Sequence, residues 1–228
     1  MGEQATGTVM EPTIRYEAVP TISKMMQSDA LVRAVMGPRG SGKSTGMSME
    51  IMRRGLQQKK WGGKRKTRFA VIRNTYKELK DTTLKTWLEW FPEDQFGEFN
   101  NTEMVHRVYK NDMEMEVLFR ALDKPGDIKK LLSLELTGAW INEAREVPRS
   151  LINGLLDTIP RYPSKAHGGV TWYGIIMDTL GGGGRCPAPG QPIPLKRGRR
   201  LNLARHNLRH QSTGRGPLVV QDGRERTA

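Results

Sequence analysis

Two rhythms of apolar positions alternate along the first 180 residues. Short apolar runs of strand length occur at 31–36 (LVRAVM), 69–73 (FAVIR), 136–141 (LTGAWI) and 170–177 (VTWYGIIM). Between them the spacing becomes helical. A helix is predicted over 44–56, and a second where Tyr76, Leu79, Leu84, Trp87, Leu88 and Phe91 recur before Pro92. At that spacing these aromatics read as core rather than as a stacking platform. A third helix is predicted near 128–134. A fourth opens at Pro148, presents Leu151, Ile152, Leu155, Leu156 and Ile159 on one face, and stops at Pro160. The alternating runs at 104–110 (MVHRVYK) and 113–119 (MEMEVLF) flank Asn111-Asp112 and predict a hairpin. Strands alternating with helices predict an α/β fold, a mainly parallel sheet flanked by helices. There is no internal repeat.

The pattern ends at Leu180. Residues 181–228 contain no Phe, Trp or Tyr, open with GGGGRCPAPGQPIP, and hold ten basic residues, nine of them Arg, against two acidic ones. Such a segment buries too little apolar surface to offset its ordering entropy, so a disordered, solvated tail is expected after one folded domain over 1–180, with 1–14 flexible. The whole chain of 228 residues carries 37 Lys and Arg against 24 Asp and Glu, a formal charge of +13, which favours a polyanionic partner such as nucleic acid. Its one cysteine, Cys186, excludes an intrachain disulfide framework and a cysteine-rich metal site and points to a reducing compartment. No apolar run is long enough to span a bilayer, and the N-terminus lacks a secretory pattern, so a soluble protein without membrane association is expected.

The strongest chemical signal is GPRGSGKS at 37–44, which satisfies G-x-x-x-x-G-K-[ST] between an apolar strand and a helix. Gly37, Gly40 and Gly42 let backbone N–H groups curl round phosphate oxygens, together with Pro38, Arg39, Ser41 and the following Thr45, while the helix N-terminus adds favourable partial charge. Lys43 is expected to reach the β- and γ-phosphates of ATP, and the Ser44 hydroxyl to bind Mg²⁺.

A phosphate cradle becomes a hydrolase only if a carboxylate can orient water. The strand in LTGAWINEARE runs into Asn142-Glu143, where many P-loop enzymes place a metal-shell Asp and a water-polarising Glu. Glu143 is therefore the candidate general base, and Glu146, one turn on, is its rival. The wide separation from Lys43 leaves room for a strand inserted between the two motifs, as in a P-loop NTPase of the additional-strand, catalytic-glutamate type.

Taken together, MGPRGSGKS, VIRNTYKEL, LTGAWINEARE and GLLDTIPRYPS with the strand ending IIMDT resemble the ATPase domain of the large terminase subunit, the DNA-packaging motor of tailed bacteriophages, over roughly residues 15–179. The resemblance implies ATP hydrolysis with Mg²⁺, driving double-stranded DNA into a procapsid. It implies a homo-oligomeric ring, a portal protein and a small terminase subunit as partners, in the cytoplasm of the bacterial host. It also implies that Arg39, inside the P-loop, handles the γ-phosphate. Arg73 and Arg161 are weaker candidates for phosphate or subunit contacts, and Asp178 and Thr179 for coupling.

Two departures stand against it. Asn142 occupies the usual Asp position, where an amide could still hold a metal-bound water. After Asp178-Thr179 the expected D-T-N-P-P continuation gives way to Leu180 and four glycines. A two-metal nuclease domain, usual in the family, cannot be built from Asp222 and Glu225, and the 49 residues from Leu180 onward are expected to derive from a shifted reading frame. Two other readings stay open: an inactive remnant that retains nucleotide or DNA binding, and another P-loop ATPase such as a helicase.

Overall fold

A computed structural model describes residues 14–124, 126–181 and 218–219. Its elements in chain order are β1 (Arg15–Tyr16), α1 (Pro20–Met26), β2 (Val32–Gly37), α2 (Lys43–Leu56), β3 (Arg65–Arg73) and α3 (Tyr76–Glu78). A π-helical segment, Leu79–Leu84, joins α3 to α4 (Lys85–Trp90), followed by α5 (Glu93–Phe96), β4 (Gly97–Asn100), β5 (Val105–Lys110) and β6 (Met113–Ala121). Then come α6 (Asp127–Leu132), β7 (Gly138–Ile141), α7 (Arg149–Thr158), β8 (Gly174–Leu180) and β9 (Leu218–Val219).

Seven strands form one sheet in the order β2-β8-β7-β3-β6-β5-β4. The first five are parallel, and β5 and β4 add an antiparallel meander. The predicted α/β fold and the predicted hairpin are both present. β8 is the inserted strand: it lies between β2, which leads into the P-loop, and β7, which leads into Asn142-Glu143. All four residues of β7 are buried, as a central parallel strand covered on both faces requires. Gly138 is obligatory there, because a Cβ would lie 2.7 Å from the Gly174 carbonyl oxygen on β8.

One face of the sheet packs Phe69, Val71, Trp140 and Ile176 against Met47, Ile51 and Trp87; the other packs Ala70, Ile72, Ala139 and Ile175 against Leu131, Leu151 and Leu155. Helices therefore cover both faces, and the C-terminal ends of β2, β8, β7 and β3 gather along one edge. That edge is where α/β folds place ligands.

The helix predicted across 76–91 is interrupted by its π-helical turn. Leu79, Leu84, Trp87 and Phe91 are buried as predicted, but Tyr76 is 44% exposed and is not core. The wider turn shifts the side-chain register. It brings the Thr83 hydroxyl to the Asn142 side-chain oxygen at 2.8 Å, a contact the apolar periodicity could not foretell.

The last strand begins at Gly174, later than predicted, and runs on through Leu180. Residues 170–173 leave the sheet because Trp172 is held by a charged cluster. Its ring stacks on Phe69, with centroids 6.4 Å apart, and faces the guanidinium groups of Arg33 at 5.2 Å and Arg54 at 4.6 Å. Glu50, fully buried, accepts hydrogen bonds from Arg33, Arg53 and Arg54. Burial pushes the Glu50 carboxyl upward, but the hydrogen bonds and charges of Arg53, Arg33 and Arg54 carry it below its ordinary value.

The backbone of β9 pairs antiparallel with β1. Otherwise the tail expected after residue 180, and the flexible segment expected before Ile14, lie outside the described residues. No helix among the described residues is long and apolar enough to cross a membrane.

Candidate functional site

The P-loop is shaped by its glycines. Gly40 and Gly42 have φ of 71° and 72°, and Gly42 caps α2 in the left-handed conformation. Side chains rarely tolerate that backbone, so these two positions need glycine. The loop thereby turns sharply enough to aim the first N–H groups of α2 into a cavity of about 630 Å³. Residues 39–45 line it along with Arg73, Asn142, Glu143 and Asp178.

Lys43 is buried, and its Nζ donates to the carbonyl oxygens of Gly37 at 2.9 Å and Pro38 at 2.7 Å. The ammonium is thus held against the loop it would span when gripping phosphate. Ser44 follows at the first turn of α2 and also lines the cavity. Arg39 is exposed at the cavity wall.

Glu143 follows β7 in the left-handed conformation, with φ and ψ both 55°. That backbone costs a non-glycine residue about 1 kcal/mol or more. The turn places the carboxylate in the cavity rather than in the solvent beyond the sheet. Its Oε2 accepts the Leu180 N–H at 2.8 Å and the Thr179 hydroxyl at 3.4 Å, so the end of β8 fixes its orientation. Glu146, the rival, is outside the cavity lining and sits 4.0 Å from Arg73. Arg161 is exposed and is also outside the lining.

Asn142 sits in a chain of polar contacts across three strands. Its Oδ1 accepts from Arg73 Nη1, at the end of β3, and from the Thr83 hydroxyl. Two donors use both lone pairs of an amide oxygen, leaving none for a metal-bound water in this arrangement. Its Nδ2 donates to both carboxylate oxygens of Asp178, at 3.1 and 3.0 Å, and Trp140 Nε1 donates to Asp178 Oδ1 at 2.6 Å. Burial pushes the Asp178 carboxyl above its ordinary value, while the donors Trp140 and Asn142 pull it back, Glu143 pushes it up and Lys43 draws it down. The carboxylate bonded to Asn142 is thus on the neighbouring strand.

All the residues read from the P-loop and from the Asn142-Glu143 pair meet at this edge, with Arg73 and Asp178 among them. Four cavity-lining residues escaped the sequence: Glu78, Thr82, Thr86 and Leu180. The first three come from the helical stretch after β3, where the VIRNTYKEL segment reaches only Glu78, whose N–H donates to the capping Thr75 hydroxyl, and Leu180 ends β8.

The sequence pattern of the phage terminase large subunit family matches residues 29–171. Among solved structures, the large terminase of a thermophilic bacteriophage is similar with a TM-score of 0.58 at 10% identity, covering 72% of this chain and 39% of that one. The same thermophilic-phage protein in complex with ADP gives 0.52 at 12% identity, over 72% and 35%. The large terminase ATPase domain of Thermus phage P74-26 gives 0.47 at 18% identity, over 71% and 65%. The chain spans about two fifths of the length of the thermophilic-phage protein. No curated protein matches it significantly. With more than half of its residues matched by that pattern, on an additional-strand P-loop fold, the chain belongs to the phage terminase large subunit family.

Proposed function

We propose that this chain is the ATP-hydrolysing module of a DNA-packaging motor that drives double-stranded DNA into a procapsid. The observation that carries the reading is the meeting of the Lys43 phosphate cradle with the strand-end carboxylate of Glu143 in one cavity across the inserted strand β8. The ADP complex of the thermophilic-phage large terminase supports nucleotide as the ligand. Double-stranded DNA, further copies of the chain in a ring, a portal protein and a small terminase subunit are the proposed partners, in the host cytoplasm.

In this reading the N–H groups at the start of α2 and the Lys43 ammonium bind the β- and γ-phosphates, the ammonium leaving the Gly37 and Pro38 carbonyls to do so. Arg39 meets the γ-phosphate from the cavity wall. Glu143 Oε2 is committed to Leu180 and Thr179, so Oε1 is the atom assigned to orient the attacking water and take its proton. Mg²⁺, when bound, neutralises charge on the phosphate oxygens. Ser44 Oγ would be its protein ligand. Asp178, rather than Asn142, supplies the carboxylate of its outer shell, because the Asn142 oxygen already serves Arg73 and Thr83. Arg73 and Thr179 keep Asn142 and Glu143 in place.

The same observation at Asn142 also favours a second reading, nucleotide binding without turnover. Steady-state phosphate release and binding of a fluorescent ATP analogue separate the two. The wild type should turn over, Lys43→Ala should lose binding, and Glu143→Gln should keep binding within a few-fold while losing turnover by at least about a hundredfold. A wild type that binds but never releases phosphate establishes the second reading. An unchanged rate in Glu143→Gln removes Glu143 as the base.

A further inference from the structure

Two loops at the end of the sheet opposite the nucleotide cavity are joined into one surface. One, 57–64, follows α2; the other, 164–173, precedes β8. Gln58 accepts the N–H of Thr171 at 2.8 Å and donates to the Trp172 carbonyl at 2.6 Å, and the Lys59 N–H donates to the Thr171 hydroxyl at 3.1 Å. Gly168 lies under Trp61 so closely that a Cβ on it would come within 2.9 Å of the Trp61 Cβ. The two loops are therefore built against each other, and their side chains keep a common arrangement.

What they present is basic and aromatic. Trp61 is 51% exposed at the head of a turn whose Gly62 and Gly63 have positive φ, and the same two loops carry exposed Lys59, Lys60, Lys64 and Lys165. Asp112 pairs with Lys60, and Glu114 lies 3.4 Å from Lys64. No carboxylate pairs with Lys59 or Lys165 among the described residues. Four ammonium groups on two joined loops, those of Lys59 and Lys165 without a carboxylate partner among the described residues, beside a half-exposed indole suit a ligand with regularly spaced negative charge and a partly apolar backbone.

We propose that this surface grips the sugar–phosphate backbone of double-stranded DNA, with the lysines on phosphates and the Trp61 ring against the sugars. The proposal rests on the motor reading above and adds where the DNA is held. It also sets a geometry. The 14 residues of α2 begin at Lys43 in the phosphate cradle and end just before Gln57, so one helix of roughly 21 Å joins the cradle to the proposed grip.

The test compares the full chain with the triple variant Lys59→Ala/Lys64→Ala/Lys165→Ala. A control, Lys124→Ala/Lys129→Ala/Lys130→Ala, loses the same formal charge around α6. Binding of a fluorescent duplex is followed by anisotropy from low to high salt, with ATP-analogue binding as the check on folding. The basic residues after Leu180 contribute to every variant alike. Each lost phosphate contact flattens the slope of log K against log salt by about 0.9, so the triple variant should be shallower by about 2–3 and the control close to wild type, all three binding nucleotide equally. If wild type binds duplex and the triple variant matches it or the control, the grip is elsewhere and the motor reading survives. If wild type fails to bind duplex even at low salt, the motor reading falls together with the grip.

Discussion

The assignment of Asp178 leads to a charge-relocation experiment. Asp178 accepts three hydrogen bonds, one from Trp140 and two from the single Asn142 amide, at 2.6 to 3.1 Å. In Asp178→Asn one of these becomes a contact between two amide donors, and the site loses its carboxylate beside Lys43. A hydrogen bond to a charged group is worth about 1.5–3 kcal/mol. Loss of an outer-shell carboxylate typically weakens a metal about 10–100-fold. The Mg²⁺ concentration that half-saturates ATP-analogue binding should rise by that factor. Asn142→Asp alone sets two carboxylates about 3 Å apart, and one of them then titrates upward. The double variant Asn142→Asp/Asp178→Asn conserves the bonding. The carboxylate introduced at position 142 would accept from Arg73, Thr83 and the amide introduced at position 178, whose oxygen would still accept from Trp140. Mg²⁺ dependence should return to within a few-fold of wild type, and phosphate release with it. A Mg²⁺ midpoint unmoved in Asp178→Asn, or a double variant no better than that single one, refutes the assignment.

Two further predictions concern stability. His106 is fully buried, and its Nδ1 accepts the Trp87 indole N–H at 2.8 Å, so its proton sits on Nε2. Burial lowers its pKa to about 4, against weaker upward pulls from Glu93 and the Gly97 backbone. A base depressed in the folded state favours folding above its unfolded pKa near 6.5 and loses that advantage as pH falls towards 4. Between pH 7.5 and 4.5 the loss is about 2–3 kcal/mol, to be read as a difference in urea midpoints against His106→Gln, which keeps an acceptor but does not titrate. Identical pH profiles for the two proteins would sink the argument. Glu50→Gln leaves the buried Arg33 without its counter-charge and should cost about 3–5 kcal/mol, seen as a lower thermal midpoint. A midpoint within a degree or two of wild type would show that Arg33 finds its compensation elsewhere.

The P-loop was legible because its constraints are local. Positive φ at Gly40 and Gly42, a lysine at the start of a helix and an apolar strand before it all follow from neighbours in sequence. Glu143 was legible for a similar reason, as an acid where a buried strand ends. What could not be read depends on which strands become neighbours. Asn142 and Asp178 are 36 positions apart, and only the insertion of β8 beside β7 makes them partners. Thr82, Thr83 and Thr86 reach the site because a π-helical turn reorients a helix whose apolar spacing looked continuous. The late start of β8 has the same character, since the Trp172 ring is drawn out of the strand by arginines on β2 and α2 that adjoin it only in the fold.

The geometry also ties the end of β8 to the candidate site by more than the Asp178 carboxylate. The Leu180 N–H and the Thr179 hydroxyl both hold Glu143 Oε2, and Arg145 Nη1 donates to the Leu180 carbonyl at 3.3 Å. One residue later, the Gly181 N–H donates to the Gly37 carbonyl, which also accepts from Lys43. Glu143, Lys43 and the outgoing chain therefore share one set of hydrogen bonds. A displacement of residues 180–181 by even an ångström lengthens the 2.8 Å contact that orients Glu143, and a single charge-assisted bond of that kind is worth about 1.5–3 kcal/mol. The position of the chain as it leaves β8 and the orientation of the Glu143 carboxylate are thus the same structural variable, measured at two ends of one hydrogen bond.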